Sequence, residues 1–229
     1  MSVIYFANYI PVSDSVAEIS RQEHALGRFL LMSGLKDLYQ LNFDPDDESA
    51  MIAYDANGKP YLKDHPAVFF NITHCTGLAA CAFHRQPVGI DAEYPGDFPE
   101  VLIKRALSDN EKELLPVCGS DLHLRQECFW RFWTLKEAYV KRTGVGVDTD
   151  LRSFSFSFDP GEPLRAGTTV SVACSDPAVS CSQVMTESGH IISLCADRLP
   201  ERSPLDIVQY VDLSRQINKD YQGYHHPDR

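Results

Sequence analysis

The sequence lacks several features that mark whole classes of protein. No apolar run among its 229 residues approaches the roughly 18 residues of a membrane-spanning helix, so no membrane span is expected. Basic residues are few, because 21 lysines and arginines stand against 32 aspartates and glutamates, a net charge of -11. This balance argues against binding to nucleic acid or to an anionic membrane over a broad surface. An anionic ligand would have to meet a local cluster of basic side chains.

Paired cysteine motifs are also missing. The seven cysteines are odd in number, loosely spaced and without a C-x-x-C motif, which disfavours a disulfide framework and a zinc knuckle. The first residues, MSVIYFANYIPVSD, show neither the basic nor the apolar segment of a secretory signal peptide. We therefore expect reduced thiols and a cytoplasmic protein. The apolar share of 44% is that of a globular chain with a core of its own.

Hydrophobic periodicity predicts an α+β chain divided near residue 100. Residues 1–100 begin with a strand at 3–10 and a helix to about Tyr39, and four short strands follow. Residues 101–229 begin with helices, the longest at about 122–142, and continue with four more strands. Each half therefore contains a helical piece that is followed by strands.

A sequence echo supports a repeat of this order. Residues 76–83, TGLAACAF, resemble residues 188–196, SGHIISLCA. We expect two similar α+β halves related by a pseudo-two-fold. The chain becomes a polar tail from about residue 200, and one short helix is predicted there at 205–213.

Two carboxylates share one face of the strand predicted at 88–93, VGIDAE. Because side chains alternate along a strand, Gly89, Asp91 and Glu93 point to the same side, and the glycine is expected to leave room for a ligand. Carboxylate oxygens favour Mg²⁺ or Mn²⁺ over zinc, and Mg²⁺ usually completes its shell with waters and substrate phosphates. The alternative is a solvated strand face with two acids, because D-x-E alone is a weak pattern.

An acid and a base lie among tryptophans on the long predicted helix. At about 100° per residue, Trp130, Trp133, Glu137 and Lys141 fall on one face. The helix is apolar nearly all round, so it should be buried, where an unpaired charge is costly. The alternative is a Glu–Lys pair, four residues apart, that only supports the helix.

Several other basic side chains could meet a phosphate. His74 ends a predicted strand, Lys59 lies in an N-G-K-P turn, and His24 and Arg28 are four residues apart on the first helix. Each has a plain alternative: a structural histidine, a solvated turn lysine and a solvated helix face.

Four motifs together resemble the Sfp-type 4′-phosphopantetheinyl transferases. They are GKP at 58–60, FNITH at 70–74, VGIDAE at 88–93 and FWTLKEAYVKRTGVGV at 132–147, with KRALSDNEKELL at 104–115 in the place of a further family segment. Their order and separation match over about residues 24–147. Three positions depart from the usual pattern, because Thr73 and Cys75 replace serines and Ala92 replaces a larger aliphatic residue.

The resemblance implies a fold and a reaction. Two similar α+β halves would hold coenzyme A and Mg²⁺ in the cleft between them, and a duplicated chain can close that cleft as a monomer. The 4′-phosphopantetheine arm of coenzyme A would move to a serine of an apo acyl or peptidyl carrier protein, with release of adenosine 3′,5′-bisphosphate. No nucleic acid or membrane partner is expected.

The matched positions also imply roles for individual residues. Asp91, Glu93 and Glu137 would hold Mg²⁺, or Mn²⁺ in its place, against the pyrophosphate of coenzyme A. Glu137, or a water that it orients, would take the proton of the serine, and Lys141 would steady charge on the phosphates. The residues expected to bind the phosphates of coenzyme A are Arg28, Lys59, Thr73, His74 and Lys141, with His24 as a further candidate.

Basic side chains outnumber acidic ones between residues 101 and 145, unlike in the whole chain. Since the resemblance implies an acidic carrier protein, this region could attract one. The candidates for such a surface are Lys104, Arg105, Lys112 and Arg142. Scattered solvated charges are the alternative.

Two other functions would use the same acids. One is a Mg²⁺-dependent hydrolase that cleaves a nucleotide pyrophosphate and consumes coenzyme A without a carrier protein. The other is an inactive module that only binds carrier proteins, although the intact Asp91, Glu137 and Lys141 argue against it.

Overall fold

Two main β-sheets, each covered by one long helix, make up the fold. The computed structural model describes residues 2–42, 48–115, 121–145, 149–198 and 208–220. The helices are α1 (Val16–Tyr39), α2 (Glu48–Met51), α3 (Glu100–Ala106), α4 (Asp109–Leu114), α5 (Leu122–Thr143) and α6 (Ser214–Asp220), with a 3₁₀ turn at Leu151–Ser153. The strands are β1 (Ser2–Asn8), β2 (Ile52–Tyr54), β3 (Pro60–Leu62), β4 (Phe69–Cys75), β5 (Leu78–His84), β6 (Val88–Glu93), β7 (Phe156–Ser157), β8 (Thr169–Cys174), β9 (Val179–Met185), β10 (Ile191–Asp197) and β11 (Val208–Asp212). The predicted α+β class is confirmed.

The first sheet has the strand order β11-β1-β5-β4 and carries α1 on one face. Leu26, Leu30 and Leu35 of α1 are buried against alternate residues of β1 and β5. Each fully buried leucine contributes about 1.5–3 kcal/mol to this packing. Gly34 allows the close approach, because a Cβ atom at this position would lie 2.1 Å from the ring of Phe83.

The second sheet has the order β6-β10-β9-β8-β7 and carries α5. Strands β6 and β10 are antiparallel, with Asp91 opposite Ser193. The faces of the two sheets that turn away from the helices share a third apolar cluster, which includes Ile4, Ala80, Ile90 and Leu194. The described chain is thus layered as helix, sheet, sheet and helix.

Strands cross the division expected near residue 100. Strand β6 precedes that point but lies in the second sheet, whereas β11 follows it and pairs in parallel with β1 of the first sheet. The helix predicted at 205–213 is wrong for its described part, which is strand β11. Val208 and Tyr210, two residues apart and both half-buried, suit a strand, and its pairing with β1 supplies the backbone partners. The pseudo-two-fold stays a prediction.

Local sequence signals predicted the bounds of several helices and strands near the site. The capping box at α4 is confirmed, because Ser108 and Glu111 exchange hydrogen bonds between side chain and backbone. Helix α5 ends at Thr143 before Gly144, whose positive φ of 69° is the predicted C-terminal signal. Strand β6 has the predicted bounds, Val88–Glu93. Strand β3 and helix α2 were not predicted. None of the described helices combines the length and the hydrophobicity that a membrane-spanning segment requires.

A buried ion pair joins α4 to α5. The Nζ atom of Lys136 lies 2.7 Å from a carboxylate oxygen of Glu111, and both side chains are almost fully buried. The same ammonium donates to the carbonyls of Leu151 and Phe154. The other carboxylate oxygen accepts the N–H of Phe156 at 2.8 Å. Lys136 therefore fixes the long helix to α4 and to the segment that precedes β7.

Candidate active site

Side chains join the edges of the two sheets where β4 meets β6. The amide oxygen of Asn71 on β4 accepts the N–H of Ile90 on β6 at 2.9 Å. The hydroxyl of Thr73 donates to Oδ1 of Asp91 at 3.2 Å. These bonds place the end of β4, with Thr73 and His74, beside the acidic face of β6.

Gly89 brings α5 into direct contact with β6. A Cβ atom on Gly89 would lie 2.0 Å from the carbonyl oxygen of Ala138 and 2.3 Å from the backbone nitrogen of Arg142. The expectation that this glycine leaves room for a ligand is therefore wrong, since the backbone of α5 fills that space. The close packing instead sets Glu137 and Lys141 opposite Asp91 and Glu93.

Lys141, Asp91 and Thr73 form one hydrogen-bonded cluster. The Nζ atom of Lys141 lies 2.6 Å from Oδ1 of Asp91 and donates to the Thr73 hydroxyl at 3.2 Å. The Asp91 side chain is only 7% exposed. Its second oxygen, Oδ2, is buried and has no hydrogen-bond partner among the described residues. A buried carboxylate oxygen without a partner is costly, so this position favours a cation or a donor from a ligand.

The two glutamates beside this cluster have unusual titration behaviour. Burial, followed by the negative charges of Asp91 and Glu137, raises the pKa of Glu93 to about 7, although Lys141 opposes the shift. Burial and then Asp91 also raise the pKa of Glu137, against the opposing charges of Lys141 and Arg105. Three carboxyl groups thus lie close enough to repel one another in a partly dry site, which is an arrangement that a divalent cation stabilises.

One cavity joins the predicted site residues from the three elements. It has a volume of about 340 Å³, and its lining includes Thr73, His74, Asp91, Glu93, Trp133, Glu137 and Lys141. It shares Ile72 and His74 with a second cavity of about 220 Å³, where His24 and Arg28 lie. It shares Trp133 and Glu137 with a third cavity of about 310 Å³, which Lys104 and Arg105 line. An anionic ligand can therefore find basic side chains on either side of the acids.

The donor set fits a hard divalent cation. No group of three or more His, Cys, Asp and Glu side chains within the described ranges is close enough to hold a metal ion by itself. Mg²⁺ does not require such a group, since it is usually bound by one or two carboxylates together with waters and substrate phosphates. The unpartnered Oδ2 of Asp91 is the observation that fits this kind of site.

Comparisons with known proteins show which sequences this chain resembles. A sequence profile described as the 4′-phosphopantetheinyl transferase superfamily matches residues 87–195. The 4′-phosphopantetheinyl transferase Sfp of Bacillus subtilis is 29% identical over 191 residues, which cover 82% of this chain and 80% of Sfp. The chain is thus similar to 4′-phosphopantetheinyl transferases over most of its length.

Two further relatives are similar to this chain over shorter stretches. The 4′-phosphopantetheinyl transferase HetI of a Nostoc species is 38% identical over 121 residues, which are 50% of each chain. The L-aminoadipate-semialdehyde dehydrogenase-phosphopantetheinyl transferase of Eremothecium gossypii is 32% identical over 163 residues, 66% of this chain and 58% of the relative. The superfamily profile spans β6 and α5 and ends within β10, so it contains Asp91, Glu93, Glu137 and Lys141 but neither His74 nor Arg28.

Lys59 lies outside the lining of these cavities and makes a different set of contacts. Its ammonium donates to three backbone carbonyls, those of Lys141 and Arg142 at 2.8 Å and that of Val88 at 3.1 Å. These bonds close the C-terminal end of α5 and tie it to the start of β6, where a cation is favourable. Because all three donors of the ammonium are in use, we withdraw the expected contact between Lys59 and a phosphate.

The basic surface predicted on the second half is only partly present. Arg142 pairs with Asp197 and lies over the ring of Tyr139, with only 10% of its side chain exposed, so it cannot serve as an open docking surface. Lys112 pairs with Asp109 at 2.9 Å. Lys104 and Arg105 do line the cavity next to Glu137. Gly146 and Val147 of the long motif lie outside the described residues.

The sequence analysis missed Glu23. This acid lies on α1, buried, with one carboxylate oxygen 3.1 Å from Nδ1 of His74. The burial of Glu23 could have been predicted, because Glu23, Leu26 and Leu30 share one helical face and an acid on an apolar stripe is unusual. The contact with His74 could not have been predicted, since His74 lies 51 positions further along the chain.

Proposed function

We propose that this protein transfers the 4′-phosphopantetheine arm of coenzyme A to a serine of an apo acyl or peptidyl carrier protein. The names of its relatives support this reaction. The observation that carries the proposal is the single cavity in which β4, β6 and α5 combine carboxylates with a lysine and a histidine. A pyrophosphate ester with a bound divalent cation needs this combination of charges.

Coenzyme A would bind with its phosphates along the joined cavities. Arg28 and His24 line the cavity on one side of His74, and Lys141 lies on the other side, so three elements offer positive or hydrogen-bonding groups. Thr73 would add a hydroxyl. The net charge of −11 makes these local groups necessary, because the protein as a whole repels an anion.

Asp91, Glu93 and Glu137 are the acids that would hold Mg²⁺, or Mn²⁺ as a substitute, one or two of them at a time together with waters and substrate phosphates. When bound, such an ion neutralises charge on the pyrophosphate and can lower the pKa of a coordinated oxygen. Lys141 already contacts Asp91, so it is placed to neutralise charge on the same phosphates. Neutralisation and positioning supply most of the catalysis in phosphoryl transfer.

The transfer itself requires a base for the serine of the carrier protein. The serine oxygen forms a bond to the phosphorus that carries the pantetheine, and the bond from that phosphorus to the bridging oxygen breaks. Glu137, or a water that it orients, takes the serine proton. Adenosine 3′,5′-bisphosphate leaves as a phosphate monoester, which needs no strong acid. Lys141 balances the charge that builds on the leaving oxygen.

A mass measurement tests the proposal. The protein is incubated with coenzyme A, Mg²⁺ and several apo carrier proteins, and the carrier is expected to gain the mass of one phosphopantetheine arm. Glu137→Ala should abolish the gain, whereas Glu113→Gln, a change on the exposed face of α4, should leave it intact. A carrier that gains no mass while coenzyme A is consumed would identify a pyrophosphate hydrolase instead. Binding of the carrier with neither outcome would identify an inactive module.

The remaining circumstances of the reaction follow from the same reasoning. Both sheets of one chain contribute to the cavity, so a monomer would suffice. The six described cysteines are free thiols, which suits a reducing compartment, and we place the reaction in the cytoplasm. Coenzyme A and the carrier protein are the proposed partners, without nucleic acid or membrane.

A further inference from the structure

Glu23 is a buried acid for which the transfer reaction has no direct use. Its side chain on α1 is only 11% exposed. One carboxylate oxygen, Oε1, accepts the phenol O–H of Tyr9 at 2.6 Å, and the other, Oε2, lies 3.1 Å from Nδ1 of His74. Burying a carboxylate is costly unless both oxygens have partners, and here both do. The fold therefore places a buried carboxylate, which is costly in free energy, beside Nδ1 of His74.

The contact with Glu23 determines which nitrogen of the His74 ring faces the cavities. With Nδ1 held by Glu23, the other ring nitrogen, Nε2, is the one without a hydrogen-bond partner among the described residues. His74 lines both the central cavity and the cavity of His24 and Arg28. The edge of the His74 ring meets the ring of His24 at a centroid distance of 5.5 Å, which limits its rotation.

We propose that Glu23 is a positioning residue, which holds Nδ1 of His74 so that Nε2 is directed at a phosphate of coenzyme A and the ring keeps a positive charge there. The inference rests on the proposed function, because it assumes that His74 meets the anionic substrate. Glu23 fixes the tautomer of the neutral His74 ring, with the proton on Nδ1, and stabilises the imidazolium form. Tyr9 acts one step further away, since its O–H keeps the Glu23 carboxylate oriented.

Opposing influences act on the charge of His74. Burial lowers the pKa of His74, and the carboxylate of Glu23 opposes that fall, whereas His24 and Lys141 add to it. Asp91, Glu93 and Glu137 line the same cavity from β6 and α5. Removing the charge of Glu23 should therefore lower the pKa of His74 further. At neutral pH the imidazolium would become scarcer, and the phosphate would lose an ionic hydrogen bond.

The experiment compares Glu23→Gln with Glu18→Gln, a matched change on the exposed first turn of the same helix. His74 is followed by NMR on histidine-labelled protein, without coenzyme A, to measure its tautomer and its pKa. We expect Glu23→Gln to lower the pKa of His74 and so to reduce the share of imidazolium at neutral pH. Glu18→Gln should leave both quantities unchanged.

Kinetics separate positioning from a merely structural role. Glu23→Gln should raise KM for coenzyme A by about three- to ten-fold with kcat within about two-fold, because the contact is equal in the ground and transition states. Since Glu23 acts through His74, the increase should vanish when Glu23→Gln is made in a His74→Gln background. If Glu23→Gln does not fold, Tyr9→Phe should change KM in the same direction by less.

The outcomes are distinct. An unchanged pKa and tautomer of His74 in folded Glu23→Gln, or KM increases that simply add in the double variant, would overturn the inference and leave the transferase proposal standing. If the wild-type protein transfers no arm, the proposed function fails. The inference is then decided by the NMR titration and by calorimetry of coenzyme A binding, in which Glu23→Gln should weaken binding by the same factor.

Discussion

Gly89→Ala is the change that most sharply tests how the site is assembled. The added methyl group would lie 2.0 Å from the Ala138 carbonyl oxygen, about 1.4 Å short of the 3.4 Å at which ordinary contact begins. The neighbouring atoms belong to the backbone of α5, so no side-chain rotation relieves the contact. Either α5 moves away from β6, or the strand bends.

The cost can be estimated from that displacement. Overpacking of a well-packed interior typically costs about 1–3 kcal/mol. A shift of about 1 Å between the helix and the strand would separate Glu137 and Lys141 from Asp91, and misplacement on that scale can reduce a rate by about 100-fold. We therefore expect a folded protein that is less stable by about 1–3 kcal/mol and slower by one to two orders of magnitude.

Urea unfolding and the carrier-protein assay measure the two effects. Gly96→Ala is the matched control, because a Cβ atom there would have its nearest neighbour at 3.9 Å, an ordinary contact, and both properties should stay near wild type. A Gly89→Ala variant with wild-type stability and rate would refute the claim that this contact sets the geometry of the site.

Three further predictions follow from other parts of the structure. Lys59→Met should lower the free energy of unfolding by about 1.5–3 kcal/mol in urea, because the last carbonyls of α5 lose a charged donor, and Lys36→Met, at an exposed position of α1, should have a much smaller effect. Lys136→Met should cost about 3–5 kcal/mol in the same measurement by leaving Glu111 buried without its cation, while the Lys136→Met, Glu111→Gln pair should recover part of that loss; equal losses in both would contradict a buried pair. EDTA should abolish transfer to the carrier protein and added Mg²⁺ or Mn²⁺ should restore it, so a rate that survives chelation would count against the metal.

Local sequence patterns were sufficient for the elements that carry the acids. The alternation in VGIDAE placed Asp91 and Glu93 on one face of β6, and helical spacing placed Glu137 and Lys141 together on α5. Such signals depend on neighbours within a few residues, which is why the bounds of β6 and the end of α5 were predicted well.

Contacts between distant parts of the chain were beyond those patterns. Strand β11 exists because it pairs with β1, about 200 positions earlier, and its own sequence did not reveal that partner. The tasks of Gly89, Lys59 and Glu23 likewise depend on which backbone or ring each one meets. A glycine beside a carboxylate suggests space for a ligand until the position of α5 is known.

The most direct test of the central claim is metal binding followed by Mn²⁺ electron paramagnetic resonance in the presence of coenzyme A. If carboxylates from β6 and α5 hold one ion, the wild-type protein should bind one Mn²⁺ per chain, Asp91→Asn and Glu137→Gln should each lose it, and Glu113→Gln should retain it. Undiminished Mn²⁺ binding in both of the first two variants, with transfer intact, would contradict the account.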